Sequence, residues 1–237
     1  MLKLYDDTNI KAIADAIRAK NGTSDTYKVS EMAQAIAEIQ ASGGTAEGGI
    51  IDGSVVSVDN DRVTFVREEA FYYCEDLRSV NLPNVTDIDD SAFEGCSALE
   101  EVNVPKLQTV GCSAFGGCEE LVSIDLPEVT MIEEYAFDTC TALTNINMPK
   151  VETIASKAFQ DCYALKKIYI PASCTTIDAS STYDSPFYGL YNNDLTVYCG
   201  ADSKPDGWGE YWAWMSTSGT LPNIVWGVTP EEYATIE

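Results

Sequence analysis

The stretch "AFEGCSALEEVNVPKLQTV", Ala92 to Val110, decides the fold, because its phenylalanine, cysteine, leucine and proline return along the chain in one register. Ala-Phe recurs at Ala70-Phe71, Ala92-Phe93, Ala114-Phe115, Ala136-Phe137 and Ala158-Phe159, 22 residues apart each time. Locked to it are Cys74, Cys96, Cys118, Cys140 and Cys162, then Leu77, Leu99, Leu121, Leu143 and Leu165, then Pro83, Pro105, Pro127, Pro149 and Pro171. One such unit cannot bury its own apolar faces, whereas stacked copies bury like on like, so a strict period of this length predicts a solenoid.

Within a copy, "LVSIDLP" from Leu121 to Pro127 alternates inward and outward residues and reads as a short strand closed by its proline. "VTMI", Val129 to Ile132, reads as a second extended stretch leading into the Ala-Phe-x-x-Cys corner, a tight helical or 3₁₀ turn. Val55, Val58, Val63 and Val66 lie 22 residues before Leu77, Val80, Val85 and Ile88, which makes "SVVSV" and "RVTFV" a degenerate first repeat. Ser185-Pro186-Phe187 is a sixth corner displaced by a six-residue insertion, with "LTVYC" as its strand. At roughly 4.8 Å between coils the stack spans on the order of 30 Å.

The flanks follow other periods. Ile10, Ile13, Ala14 and Ile17, then Met32, Ala33, Ile36 and Ile39, fall at helical spacing and predict a helical hairpin over 1–40. Its apolar stripes are too small for an independent core, which makes it an attachment or oligomerisation segment, or else a cap on the first coil. Residues 41–53, with "ASGGTAEGG", read as a flexible linker, 54–200 as the solenoid and 201–237 as an aromatic C-terminal cap. The expected fold class is therefore α+β: a repeat solenoid with a helical hairpin before it.

Fourteen basic against 38 acidic residues give a net charge of −24, which argues against a nucleic-acid partner. No run of about 18 apolar residues offers a membrane span, and the start Met1-Leu-Lys-Leu-Tyr-Asp-Asp lacks the apolar core of a secretory signal. The absence of histidine removes Ser-His-Asp and Cys-His catalysis and the commonest metal ligand. No cofactor or metal is expected. The carboxylates before successive corners (Glu68-Glu69, Asp87-Asp89-Asp90, Glu133-Glu134) read as a solvated ridge, with calcium as the alternative. The corner cysteines read as free buried thiols, although a bridge between adjacent coils is not excluded by distance; the state of Cys112, Cys174 and Cys199 is open.

Two surfaces are candidates for binding. The outward column of the strands, Asn81, Asn103, Asp125, Asn147 and Tyr169, varies while the framework repeats, which suits either a ligand face or a merely soluble exterior. The tail gathers Trp208, Trp212, Trp214 and Trp226 within 19 positions, read first as a cover for the last coil's apolar edge. Trp208, Trp212 and Trp214 are also candidates for an aromatic sugar-binding platform.

The pattern Ala-Phe-x-x-Cys-x-x-Leu-x-x-Ile-x-Leu-Pro resembles the leucine-rich repeats of the BspA-like class, found in bacterial surface proteins and adhesins, over residues 54–200. That resemblance implies adhesion or binding rather than catalysis. "IADAIRAKNGTSDTYKVSEMAQAIAEIQ", Ile13 to Gln40, is similar to short segments that open phage-tail and prophage proteins of gut bacteria. This second resemblance implies a virion- or tail-associated protein, as against a bacterial-surface one. The expectation is a non-enzymatic module recognising a protein or glycan, with self-association or a carrier assembly through residues 1–40. The alternative is a structural spacer in a phage tail or cell-surface assembly with no ligand of its own.

Overall fold

The computed structural model describes residues 56–190, 194–216 and 218–236, so the hairpin expected at 1–40 and the linker at 41–53 lie outside the described residues. From Val56 the chain winds in parallel coils. Each gives one strand to a front sheet: β1 (Ser57–Asp59), β3 (Ser79–Asn81), β5 (Glu101–Asn103), β7 (Ser123–Asp125), β9 (Asn145–Asn147), β11 (Lys167–Ile170), β13 (Thr196–Cys199) and β14 (Asn223–Trp226). A back sheet takes the two-residue strands β2 (Phe65–Val66), β4 (Asp87–Ile88), β6 (Thr109–Val110), β8 (Met131–Ile132), β10 (Thr153–Ile154) and β12 (Thr176–Ile177). All pairings are parallel, with Val58 on Val80 on Val102 and Val66 on Ile88 on Val110. The back sheet is continuous over its six strands, while the front sheet bonds in the blocks β1-β3-β5, β7-β9 and β11-β13-β14.

The inward positions form one core. Leu77, Leu99, Leu121, Leu143 and Leu165 are fully buried, as are Val66, Val110, Ile132 and Ile154 of the back sheet. Phe71, Phe93, Phe115, Phe137, Phe159 and Phe187 form an unbroken column of near-parallel rings, with centroids 5.0, 5.4, 5.5, 5.7 and 6.0 Å apart. Stacking identical side chains is what a parallel, in-register ladder imposes, and offset rings at this spacing are a favourable aromatic arrangement.

The expected α content is not there: among the described residues the α-helix is α1 (Pro230–Tyr233), and the corners are turns. Their backbone alternates. Each of the five Ala-Phe corners has two residues at positive φ, flanking Ala-Phe-x, such as Ser113 (53°) with Gly117 (71°) and Tyr135 (58°) with Thr139 (57°). These interrupt any run of right-handed helix. The amides of Ser113, Phe115 and Gly117 instead donate to the carbonyls of Glu134, Ala136 and Asp138 in the next coil, at 2.9, 2.9 and 2.7 Å. The intervening amides of Ala114, Gly116 and Cys118 close local turns on Gly111, Ser113 and Phe115 at 3.2, 2.9 and 3.2 Å. The left-handed torsion of a non-glycine residue costs roughly 1–2 kcal/mol, offset by a backbone bond to the neighbouring coil and by the packed ring between. The corner is thus a third inter-coil ladder.

Cysteine fits this corner because its thiol reaches the same carbonyl that the turn uses. Sγ of Cys96, Cys118, Cys140 and Cys162 donates to the carbonyl of Phe71, Phe93, Phe115 and Phe137 in the preceding coil, at 3.1, 3.4, 3.1 and 3.1 Å. All eight thiols are free. Burial pushes Cys74 up to about 11, Cys174 and Cys199 to about 12, and the ladder thiols further still. At pH 8 a maleimide is therefore expected to modify half-buried Cys112 first and Cys74 only slowly in the native protein, the other six reacting after denaturation. Labelling mapped by mass spectrometry checks this, and native modification of Cys118 or Cys140 contradicts it.

The ladder continues past residue 200, with β14 pairing β13 and Trp208 bridging Ile177. Trp208 packs against Trp212 and Trp226 at centroid distances of 4.6 and 5.7 Å, and its indole N–H donates to the Cys174 carbonyl at 3.0 Å. The last residues fold back over the front sheet. Tyr233 lies against Tyr169 and Tyr198, Lys167 Nζ donates to the Ile236 carbonyl, and Thr229 with Glu232 forms a capping box on α1.

Candidate functional site

A three-residue strand in a parallel ladder points its middle side chain inward and its outer two to water. Val80, Ile124 and Ile146 are the buried middles, at 2, 3 and 2% exposure. The flanking residues form two outward columns: Ser57, Ser79, Glu101, Ser123 and Asn145, beside Asp59, Asn81, Asn103, Asp125 and Asn147. Asn81, Asn103, Asp125 and Asn147, predicted as binding residues, are thus brought into one row.

Register links that row chemically. Asn81 Nδ2 donates to Asp59 Oδ1 at 2.8 Å, Asn103 Nδ2 to Asn81 Oδ1 at 2.7 Å, and Asn147 Nδ2 to Asp125 Oδ1 at 2.6 Å. Like side chains stacked one strand apart form such amide ladders, which fix rotamers that would otherwise be free. Rungs of the same kind run outside the row: Arg78 with Glu100 at 2.7 Å, Lys106 with Asn84 at 2.7 Å and Lys150 with Glu128 at 2.6 Å. Exposed pairs of this sort contribute about 0–1 kcal/mol each; their main effect is to hold the surface in one conformation.

The other predicted residues are placed differently. Tyr169 continues the row, but its hydroxyl donates to the Val228 carbonyl at 3.0 Å and its ring lies 5.1 Å from Tyr233, so the C-terminal segment covers it. Trp208 and Trp212, at 2 and 5% exposure, are core residues with no face available to a sugar. They pack inside as one cluster with Trp226, Trp208 beside Ile177 at the end of the back sheet. Trp214 is half-buried, edge-on to Tyr211 at 4.9 Å. The exposed rings are instead Phe65 and the tyrosines Tyr72, Tyr73, Tyr163 and Tyr183, none of them proposed as a binding ring from the sequence. Their signal was available for Tyr72 and Tyr73, which fill the two variable positions of Ala-Phe-x-x-Cys and must face outward.

The carboxylates before the corners spread along separate columns. Glu133 is pushed above the ordinary carboxylate range by partial burial and then by Asp90 and Asp89. No group of three or more acidic or cysteine side chains among the described residues is arranged to hold a metal ion. No helix among them is long and apolar enough to cross a membrane.

Comparison with known proteins agrees with this geometry. The family model described as "BspA type Leucine rich repeat region" matches six copies over residues 64–187. No curated protein sequence matches the chain. Among solved structures, a leucine-rich repeat protein from Bacteroides ovatus is similar at 24% identity and a TM-score of 0.55, over 72% of this chain and 48% of that one. A leucine rich cell surface protein from Faecalibacterium prausnitzii gives 20% identity and a TM-score of 0.41, over 77% of this chain and 62% of that one. The chain thus spans about half to three-fifths of the length of these relatives. The first likeness establishes the shared fold.

Proposed function

Because the chain belongs to the BspA type leucine rich repeat family, we propose that it is a non-enzymatic binding module whose front face, from the β1 coil to the β9 coil, engages a protein with a basic surface. One observation carries this reading. Over five successive coils the two outward columns hold carboxylates, amides and hydroxyls and no lysine or arginine, and the amide ladder holds them in place. A face of one sign, backed by a chain of net charge −24, favours a cationic partner and raises its rate of encounter. Leucine-rich repeat proteins generally bind proteins, and the family is a non-enzymatic scaffold. Adhesion is the biological role proposed, with residues 1–40 as the attachment to further copies, a tail or a cell surface.

The test is an array of extracellular proteins and glycans read by surface plasmon resonance. The wild-type chain is expected to bind a basic protein with an affinity that falls as salt rises, and Asn103→Arg with Asp125→Arg to weaken that binding at least tenfold without changing the melting temperature. The back sheet, unbroken over six strands, favours a second reading as a stiff spacer. Silence of the wild-type protein across the whole array supports the spacer and removes the binding proposal.

A further inference from the structure

The corner edge carries a second surface, separate from the front face. The position before each corner cysteine is held in turn by Tyr73, Gly95, Gly117, Thr139 and Asp161, all at positive φ. A Cβ built on Gly95 would lie 2.9, 2.9 and 3.1 Å from Cδ1, Cγ and Cδ2 of Tyr73. Three ring atoms at nearly equal distance place that point over the face of the ring, not at its edge. Tyr73 therefore lies flat on the Gly95 backbone. Tyr73 as a whole residue is still 57% exposed, so much of the ring away from Gly95 is turned to water. Tyr72, 40% exposed, braces it edge-on, with centroids 4.6 Å apart and planes at 73°.

Beyond this platform the surface is free of side-chain bulk. A Cβ on Gly117 would meet nothing within 4 Å except Gly95 backbone at 3.5 Å. The next coils then supply polar groups in fixed positions: Gln160 Nε2 donates to Asp138 Oδ1 at 3.0 Å, and the Tyr163 hydroxyl to Asp161 Oδ1 at 2.9 Å. Partial burial raises the Asp138 carboxyl, ahead of the opposing effect of its hydrogen bonds. The coil-to-coil step along this edge is that of a parallel ladder, about 4.8 Å, close to the length of one pyranose unit.

We propose that this edge binds a neutral oligosaccharide, laid along the solenoid axis with one sugar ring stacked on Tyr73, the chain crossing the glycine step at Gly117, and hydroxyls meeting Thr139, Asp138, Gln160 and Asp161. A flat aromatic ring with one free face suits the C–H face of a pyranose, and amphipathic rings of this kind serve partners that are apolar on one side and wet on the other. Around it lie Gly, Ser, Thr, Asp and Gln rather than the apolar core a protein interface needs. Glu69, Glu75, Glu94, Asp138 and Asp161 make the edge acidic; of its cations, Arg67 enters the first corner and Lys157 is held over the Tyr135 ring at 4.7 Å. Uronic and sialic acids are therefore disfavoured.

The probes are neutral hexasaccharides built from glucose, mannose, galactose or N-acetylglucosamine, with oligogalacturonate as the anionic control, measured on the full chain by saturation-transfer NMR and calorimetry. At least one neutral oligosaccharide is expected to bind and the uronate not. Tyr73→Ala should weaken binding at least tenfold. So should Gly117→Thr, which sets in the step the residue that Thr139 already provides at a similar positive φ in a later coil and so keeps the fold. Asn103→Arg with Asp125→Arg should leave sugar binding unchanged, which separates this site from the front face. Silence of every neutral probe at 10 mM, or binding that survives both corner variants, overturns the proposal.

Discussion

Replacing Phe115 with alanine is expected to cost about 3–5 kcal/mol of unfolding free energy. The ring is fully buried and stacked on both sides, with Phe93 at 5.4 Å and 4° and Phe137 at 5.5 Å and 6°. Truncation opens one cavity against two coil interfaces. The flanking rings are held by their own columns and by amides bonded across the corners, so they cannot collapse into the space. In a repeat protein stability is roughly a sum of coil terms and nearest-neighbour terms, and this substitution weakens one coil and both of its interfaces. Urea unfolding followed by circular dichroism measures it, with Val122→Ala, at 51% exposure, as a control expected within about 0.5 kcal/mol of wild type. A loss below about 1 kcal/mol at Phe115 would show that the ring column is not what joins the coils.

The columns were legible because a parallel register turns sequence period directly into spatial contact. Phe, Cys and Leu repeat, so like meets like; that Cys96, Cys118, Cys140 and Cys162 also donate to a phenylalanine carbonyl of the coil before was not legible. The corner backbone was not legible. Its left-handed positions are held by Glu69, Tyr73, Ser91, Ser113, Tyr135, Thr139, Lys157 and Asp161 as well as by glycines, so no residue type marks them; the Ala-Phe spacing alone suggests a helical turn. The polar row from Asn81 to Asn147 was legible from strand alternation. What happens at its end was not, because Tyr169 is covered by Val228 and Tyr233, 59 and 64 residues further on. The tryptophans show a similar limit: composition placed them together as a cover for the last coil, and only the packing of Trp208 on Trp212 and Trp226 decides that Trp208 and Trp212 face inward while Trp214 is half-buried.

Removing one whole coil should be tolerated, and removing half a coil should abolish folding. Deleting the 22 residues Glu133–Ile154 puts Phe159 in the place of Phe137, Cys162 in that of Cys140, Leu165 in that of Leu143 and Ile168 in that of Ile146. Every inward slot keeps its class, and Ala155 meets Gly111 without added bulk. Loss of one coil term and one interface should lower the melting temperature by several degrees while leaving a single cooperative transition. Deleting only the 11 residues Glu133–Leu143 has another consequence at each slot. Asn147 falls where Ala136 is fully buried, and Lys157 falls where Ile146 is 2% exposed. Pro149 takes the place of Asp138, whose amide closes the corner turn on the Tyr135 carbonyl at 2.8 Å and which proline cannot replace. An unpaired amide and an ammonium in the core together exceed the stability of most domains of this size. Circular dichroism and urea titration of the two deletions decide the matter: a cooperative transition in the shorter deletion, or none in the longer, would mean that register is not what specifies this fold.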